Sequence, residues 1–408
     1  MILLCSRGHS CEKTGDAGGA VRVEFMQALK LKLVFALRNF PGVYRALRAG
    51  WRCAAGLFLE TLRLLPSSWI RWGPPKGWFS EVELLRQAAA PGEIILSGQP
   101  RITLPPDSLR KLCGLRQDEH QPWPVFWTQH RDARLVGATL VRRNEKKQIA
   151  LEAAYGLLSV RDDAAWRAWR LPPARRLEGN WTSLISRWSG GYYHWLMDVL
   201  PRLAVLSEFP PDTRLLAPPN LSGYQRDALQ WLGLSARLRP TTERHLVVEN
   251  FFFSSPTAMT GCYDPYAVAF LRRTFLGRAD TTYDSPRKFF VQRVGVGRGL
   301  LNEPEVLEFF RERGWACVDT AQLTLSQQIQ LFSRAEAVCA LHGAALTNLV
   351  WCRPGCQVLE LVARTFLNGV YEGIAQAAQA DHRFLLCEAD ARYRARVDLR
   401  ALAERLDG

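Results

Sequence analysis

The stretch Ala337–Val350, AVCALHGAALTNLV, decides the fold of the C-terminal third of the chain. The apolar run Ala337–Leu341 predicts a buried strand, and the small residues after it predict a short passage into a helix. The N-terminus of a helix after a strand favours anions, because its backbone N–H groups have no partners within the helix. The joint between this strand and helix is therefore a candidate ligand site.

Strands and helices alternate on both sides of this stretch. Strand Lys288–Arg293 is followed by a glycine-rich loop, 295–299, and by a helix that begins at Asn302 and ends at Gly314. This alternation with short joints predicts a parallel, doubly wound sheet. The remaining predicted elements are strand Ala316–Asp319, helix Thr324–Ala335 and strand Gln357–Val362.

The preceding part of the chain predicts a second α/β domain, residues 76–284. The polar connection Ala279–Ser285 marks its end, so the C-terminal domain is expected to cover residues 285–408. Its predicted helices are Ser222–Leu232 and a helix within 262–284. Its predicted strands are Gly92–Leu96, Ala138–Val141, Lys147–Leu151, Arg214–Ala217 and His245–Phe253.

Residues 1–75 are expected to form an N-terminal extension. Residues 1–20 are typical of a disordered leader, and residues 22–63 interleave Lys and Arg with apolar residues at helical spacing. This pattern predicts a basic amphipathic helix. Two interpretations stay open: the helix lies on an anionic membrane surface, or it packs on the globular body with solvated arginines.

Composition limits the partners of the chain. The protein has 408 residues and a formal net charge of +14, which favours anionic partners. No zinc-finger, RNP or basic-zipper pattern accompanies the charge, so we expect no nucleic-acid partner. No apolar run of transmembrane length occurs, and the ten cysteines lack metal-site spacing. We therefore expect a cytoplasmic protein, peripheral on the inner face of the membrane if residues 22–63 bind lipid.

Residues in the C-terminal domain predict a diphosphate site. Gly343 and Ala344 are small enough for a phosphate to approach the backbone, and His342 and Thr347 add side-chain donors. Arg293 and Arg298 are candidates to hold the diphosphate. The alternative is close helix–sheet packing and surface salt bridges. No D-x-D sequence occurs, so we infer that no metal and no other cofactor is required.

The loop Gly295–Gly299 raises the alternative of a dinucleotide cofactor. It departs from the G-x-G-x-x-G spacing, because Leu300 stands where the third glycine belongs. The helix begins only at Asn302, which makes the loop too long for the required turn. An NAD(P)-dependent oxidoreductase is thus the weaker alternative, although Asp319 lies near the distance expected for a ribose ligand.

A second cluster, Ser189–Leu203, predicts a helix that carries a general base. His194 and Asp198 are four residues apart, so they share one face of the helix. A carboxylate next to an imidazole raises its basicity or orients it. The alternative is a histidine with a purely structural role in an amphipathic helix.

These residues resemble glycosyltransferase family 61 over roughly residues 180–375. The family's His-Trp-x-x-Asp-x-Leu-Pro-Arg-Leu block is similar to His194–Leu203, and its His-Gly-Ala-Gly-Leu-Thr-Asn block to His342–Asn348, where Ala345 replaces a glycine. The family also has a strand that ends in an arginine and is followed by a second arginine and an asparagine. Arg293, Arg298 and Asn302 match these three positions. A later Pro-Gly-x-x-Val-x-Glu block matches Pro354–Glu360.

The resemblance implies a GT-B fold, in which two Rossmann-like domains face a cleft and the C-terminal domain binds the nucleotide-sugar donor. It also implies inversion at the anomeric carbon. It places Asn302 and Asn348 in the donor site, and Glu360, at the end of a strand, is expected to hold ribose hydroxyls or to have a packing role. Together with the cytoplasmic prediction, it points to the bacterial capsule and exopolysaccharide branch.

The sequence thus predicts a metal-independent, inverting glycosyltransferase. It moves a sugar from a nucleoside-diphosphate donor to a glycan or lipid-linked acceptor in cell-surface polysaccharide synthesis. His194 or Asp198 is the expected base. The alternatives are an NAD(P)-dependent oxidoreductase and a non-catalytic scaffold that binds membrane or nucleic acid.

Overall fold

The structure, a computed structural model, describes residues 70–71, 78–79, 109, 125–141, 149–150, 170–258, 260–261, 264–293 and 297–407. The chain divides into two units, Met1–Trp72 and Gly73–Gly408. Of the first unit only strand β1 (Ile70–Arg71) is described. The predicted basic helix within 22–63 and the predicted strand Gly92–Leu96 lie outside the described residues. The division into domains at residues 75 and 284 stays a prediction.

An eight-stranded mixed sheet forms the first part of the second unit. Its order is β2-β5-β4-β3-β10-β7-β8-β9. Strands β10, β7, β8 and β9 run parallel, whereas β3 pairs antiparallel with both β10 and β4. The bounds are β2 (Trp78–Phe79), β3 (Trp127–Val136), β4 (Thr139–Val141), β5 (Ile149–Ala150), β7 (Arg175–Ser183), β8 (Arg214–Ala217), β9 (Leu238–Pro240) and β10 (His245–Ser254). Strand β6 (Arg170–Leu171) lies outside this sheet.

The expectation of a Rossmann-like sheet fits only the parallel part of this sheet. Strands β3 and β4 are joined by two residues, and so short a connection allows only an antiparallel hairpin. Gly137 in this turn has a φ of 61°, which a glycine adopts without steric cost. The predicted strands at Arg214–Ala217 and His245–Phe253 are confirmed.

Two α-helices of this part follow the predicted pattern. Helix α1 (Gly223–Trp231) matches the predicted Ser222–Leu232. Helix α2 (Pro265–Phe275) lies within the predicted range 262–284. It begins at Pro265 because the Asp264 carboxylate accepts a hydrogen bond from the Tyr266 N–H, which fixes the N-cap, and a short 3₁₀ turn, Leu276–Arg278, follows it.

The second sheet has the predicted parallel, doubly wound topology. Its order is β12-β11-β13-β14-β15-β16, and only β16 pairs antiparallel. The bounds of the strands are β11 (Lys288–Val291), β12 (Ala316–Val318), β13 (Ala337–Leu341), β14 (Gln357–Ala363), β15 (Asp381–Ala389) and β16 (Ala395–Arg396). The helices are α3 (Glu303–Glu312), α4 (Leu325–Ser333), a 3₁₀ helix (Ala344–Trp351), α5 (Val370–Ala377) and α6 (Leu399–Asp407).

Strand β11 shows why both faces of this sheet are covered. Phe289 packs edge-on against Phe332 of α4, with ring centroids 5.2 Å apart. Its neighbour Phe290 points to the other face and stacks on Phe310 of α3 at 4.7 Å. Successive strand residues alternate between faces, so two consecutive buried phenylalanines require a helix on each side.

Local capping fixes where the helices of this domain begin and end. Helix α4 opens with the predicted capping box, in which Thr324 and Gln327 exchange side-chain and backbone hydrogen bonds of 3.3 and 3.1 Å. Helix α3 ends where predicted, because Gly314 adopts a φ of 70°. These caps fix the ends of the helices that connect β11 to β12 and β12 to β13.

The order of the strands creates a switch point between β11 and β13. The chain runs from β11 outward to β12, then crosses back to β13 on the other side of β11. At such a point the two helices that follow β11 and β13 diverge, and a crevice opens beyond the carboxyl ends of the strands. The residues directly after these strands are Gln292–Arg293 and His342–Gly343. Two predicted site segments therefore meet at one edge of the sheet.

Candidate functional site

The first cluster lies in a wide helical turn. His194–Val199 forms one π-helical turn, which continues as a 3₁₀ helix, Leu200–Glu208. Gly191 precedes the turn, and its carbonyl accepts a hydrogen bond from the Trp195 N–H at 2.8 Å. His194 Nδ1 lies 2.8 Å from Asp198 Oδ2. The predicted contact between these two residues is confirmed, and π-helical turns occur frequently at functional sites.

Thr260 is a third member of this cluster that the sequence did not reveal. Its Oγ1 lies 2.9 Å from His194 Nδ1 and donates to Asp198 Oδ2 at 2.5 Å. Thr260 follows strand β10 and is 62 residues beyond Asp198 along the chain. No motif connects positions so far apart, so only the tertiary fold identifies it. We call His194, Asp198 and Thr260 the histidine–aspartate cluster.

Burial separates the roles of the histidine and the aspartate. The Asp198 side chain is 6% exposed, whereas that of His194 is 28% exposed. Burial raises the pKa of Asp198, and the hydrogen bond from His194 opposes that shift. Because Asp198 accepts from Nδ1–H, the other ring nitrogen of His194, Nε2, carries the lone pair. The accessible proton acceptor of the cluster is therefore His194.

Aromatic rings hold the imidazole from two sides. The Trp188 ring stacks on His194 with centroids 5.3 Å apart and an interplanar angle of 26°. Tyr193 packs edge-on at 5.2 Å. An indole face attracts a cation, so this contact stabilises His194 when it has taken up a proton.

The second cluster surrounds the switch point. Arg293, after β11, donates from Nη1 to the His342 carbonyl at 2.6 Å. A Cβ atom on Gly343 would lie 2.8 Å from the same Nη1. A side chain at position 343 would therefore displace the guanidinium, which packs directly against the glycine backbone. We call Arg293, Arg298, His342 and Gly343 the switch-point cluster, and the structure brings all four predicted residues together.

The charges in this cluster favour an anion. Burial, and then the charge of Arg298, lower the pKa of Arg293 to about 10, so it stays protonated at neutral pH. Arg298 lies over the Phe366 ring, with its guanidinium carbon 4.5 Å from the centroid. Within the described part of the chain, no carboxylate forms an ion pair with either arginine. Two adjacent, unpaired guanidinium groups can bind a diphosphate.

The 3₁₀ helix adds backbone donors beside the arginines. Leu346 is the first residue whose N–H bonds within this helix, to the Gly343 carbonyl at 2.9 Å. The N–H groups of Ala344 and Ala345 precede that bond and lie where a helix leaves its donors without partners. Ala344 is exposed and Ala345 is half-buried. The start of the 3₁₀ helix is therefore open to solvent, and an anion can reach these two N–H groups.

Four residues that we predicted to contact the donor are buried in this structure. Asn302 is buried, and its amide exchanges two hydrogen bonds with the Val397 backbone, at 2.9 and 3.0 Å. Thr347 and Asn348 are both fully buried. Glu360 is also fully buried, and its two oxygens contact His342 and His382 at 2.5 and 2.9 Å. The place of these four residues in the donor site stays a prediction.

The buried Asn348 connects the two clusters. Tyr192, two residues before His194, donates to Asn348 Oδ1 at 2.7 Å. Asn348 also accepts from the Trp351 indole at 3.0 Å and donates to Gln328 at 2.8 Å. A second connection runs through rings, because Tyr371 lies 6.2 Å from Tyr193 and 5.0 Å from His342. The histidine–aspartate and switch-point clusters are thus neighbours.

Two comparisons with known proteins bear on this site. The family model described as Glycosyltransferase 61 matches residues 192–359, which contain both clusters. No curated protein matches the chain. The matched segment begins two residues before His194 and ends one residue before Glu360. This segment is similar to glycosyltransferase family 61, and the protein is a glycosyltransferase.

Proposed function

We propose that the protein is an inverting, metal-independent glycosyltransferase that uses a nucleoside-diphosphate sugar as donor. The acceptor is a glycan or lipid-linked sugar in cell-surface polysaccharide synthesis. The observation that carries the proposal is the hydrogen bond that connects the surroundings of the two clusters. Tyr192, two residues before the oriented imidazole of His194, donates to Asn348 in the 3₁₀ helix that follows Gly343.

The reaction is a single displacement at the anomeric carbon. His194 Nε2 takes the proton of the acceptor hydroxyl, and the oxygen forms a bond to the anomeric carbon on the face opposite the diphosphate. The bond from that carbon to the diphosphate oxygen breaks, and the oxygen leaves with the electron pair. Inversion follows because attack and departure occur on opposite faces.

Asp198 and Thr260 prepare the base rather than act as one. Asp198 is too buried to reach an acceptor, and its Oδ2 accepts from both His194 and Thr260. A carboxylate in this position fixes the tautomer and stabilises the imidazolium that forms. Of the two candidates that the sequence left open, His194 is therefore the base in this proposal.

Arg293, Arg298 and the first N–H groups of the 3₁₀ helix stabilise the leaving group in this proposal. The leaving diphosphate gains negative charge as the bond breaks, and fixed cations stabilise that charge without reorganising. This arrangement supports a metal-independent site. A requirement for Mn²⁺ or Mg²⁺ after treatment with EDTA would contradict it.

The basic segment 22–63 bears on where the protein works in the cell. Within the described residues no helix is both long and apolar enough to cross a bilayer. We propose a cytoplasmic protein whose segment 22–63 binds the anionic inner face of the membrane, because that segment is basic and amphipathic. Co-sedimentation with anionic and neutral vesicles, for the full chain and a charge-reversed 22–63 variant, tests this.

The test of the activity is a screen of the purified full chain against nucleotide sugars. We expect slow release of nucleoside diphosphate from one donor, in the presence of EDTA, and faster release when an acceptor is added. Proton NMR of the product should show the anomeric configuration opposite to that of the donor. Retention of configuration would contradict the single displacement.

A further inference from the structure

A buried chain of three side chains extends away from the switch-point cluster. His342 Nδ1 lies 2.5 Å from Glu360 Oε1, and His382 Nε2 lies 2.9 Å from Glu360 Oε2. The Glu360 side chain is 0% exposed and that of His382 is 4% exposed. His382 comes from the parallel strand β15, which pairs with β14 beside Glu360. One carboxylate, which is closed to solvent, thus lies between two imidazole rings.

Hydrogen bonds favour the ionised form of the carboxylate in this chain. Burial acts to raise the pKa of Glu360, but the hydrogen bonds and charges of His342 and His382 outweigh it and lower the pKa. A buried anion is most stable when a positive charge lies next to it. Within the described residues, the two histidines are the groups that hydrogen-bond the carboxylate, so they are the candidates to carry that charge.

The second nitrogen of each ring decides which histidine is charged. His382 Nδ1 is buried and has no hydrogen-bond partner among the described residues. A protonated His382 would bury an N–H donor there without an acceptor, which costs the full desolvation penalty of that group. His382 is therefore neutral and donates Nε2–H to Glu360. The positive charge falls on His342, whose side chain keeps 8% of its surface open.

The other groups around His342 are two aromatic rings and two arginines, and the arginines favour an anion nearby. The Tyr371 ring of α5 lies 5.0 Å away, and the Phe366 ring lies 5.5 Å away. Arg293 binds the His342 carbonyl, and Arg298 lies over Phe366. Apart from Glu360, the charged groups that face this histidine are positive. A diphosphate that neutralises the arginines therefore also favours the proton on His342.

We propose that His342 meets the donor's diphosphate as an imidazolium, and that His382 is the positioning residue that keeps Glu360 ionised and aligned to hold that charge. The inference rests on the proposed function, because it assumes a diphosphate at the switch point. His342 Nδ1–H donates to Glu360, which leaves Nε2–H for a phosphate oxygen. Charge-assisted bonds of this kind are about twice as strong as neutral ones.

The test measures binding of inorganic pyrophosphate and UDP to the full chain by titration calorimetry. In His382→Leu, Glu360 loses a hydrogen bond and draws the proton away from His342. We expect both probes to bind roughly tenfold more weakly. His382→Gln keeps an N–H donor for Glu360, so its affinity should stay close to that of the wild type. His130→Gln, on strand β3 of the other sheet, controls for the loss of a histidine.

Two further variants separate positioning from a general structural role. The double variant His342→Gln, His382→Leu should bind no more weakly than His342→Gln alone, since the effect of His382 passes through His342. If His382→Leu does not fold, Glu360→Gln removes the same charge with nearly the same volume.

The outcomes distinguish the two proposals. Wild-type affinity in a folded His382→Leu protein, or additive losses in the double variant, would overturn the inference about His382 and leave the proposed function standing. If the wild type binds neither pyrophosphate nor any nucleoside diphosphate, both proposals fail.

Discussion

The switch-point cluster and the histidine–aspartate cluster are built in different ways. In the first, residues directly after two neighbouring parallel strands meet because the topology requires it, and Arg293 packs on the Gly343 backbone. In the second, one helical turn supplies His194 and Asp198, and a distant residue, Thr260, completes the group. The first cluster offers positive charge and backbone donors, whereas the second offers a single oriented proton acceptor. The difference fits the division between donor binding and acceptor activation that we propose.

The largest expected effect tests the acceptor side of this comparison. His194→Ala removes the proposed base, and we expect kcat to fall by about 10²–10⁴. The fold should stay intact, because the side chain is 28% exposed. Steady-state transfer assays measure the loss, with Trp188→Phe as a control that keeps an aromatic ring on this side. Full activity of both His194→Ala and Asp198→Asn would exclude this cluster as the source of the base.

The next effect tests the donor side. Arg293→Ala removes a cation that we place at the leaving diphosphate, and we expect kcat/KM to fall by about 10²–10³. Arg293→Lys should recover little, since an ammonium group cannot donate to both the His342 carbonyl and a phosphate with the same geometry. Activity assays and UDP titrations report the two parts of the effect. Unchanged UDP affinity in Arg293→Ala would contradict the diphosphate assignment.

A smaller effect tests whether the backbone at the switch point positions the arginine. Gly343→Ala places a Cβ atom 2.8 Å from Arg293 Nη1, so the guanidinium must move. We expect nucleoside-diphosphate affinity to fall roughly tenfold, about 1.4 kcal/mol. Gly223→Ala, at the first residue of α1, is the matched control because nothing lies within 4 Å of its added Cβ. Equal affinities of the two variants would show that the arginine does not depend on this contact.

The smallest effect tests the residue that the sequence did not reveal. Thr260→Val removes the hydroxyl that donates to Asp198 and keeps the shape of the side chain. A hydrogen bond to a carboxylate is worth about 1.5–3 kcal/mol, but His194 still donates to Asp198 in this variant, so we expect kcat to fall by a factor of only about 5 while KM for the donor is unchanged. Thr260→Ser should restore activity. A rise in KM without a change in kcat would place Thr260 in the donor site instead.

The sequence predicted the switch-point cluster better than the residues that support it. Arg293 and His342 follow apolar strands, and the parallel topology brings such ends together whatever the details of packing. The capping box at Thr324 and the terminating Gly314 are also local patterns, and both are confirmed. The order and type of elements in this domain therefore follow from short stretches of sequence.

The roles of buried polar residues could not be predicted in the same way. Asn302, Asn348 and Glu360 stand close to site residues in the chain, but the fold turns their side chains into the interior. His382 contacts Glu360, which is 22 residues away along the chain, and Thr260 contacts Asp198, which is 62 residues away. Burial and long-range partners are products of tertiary packing, which no single motif contains.

The central claim is that donor binding and acceptor activation belong to separate clusters. The most direct measurement is the dissociation constant of the released nucleoside diphosphate for the His194→Ala protein, by titration calorimetry in the presence of EDTA. The account predicts wild-type affinity in this variant, together with its loss of transfer activity. A large loss of nucleoside-diphosphate affinity in a folded His194→Ala protein would contradict it.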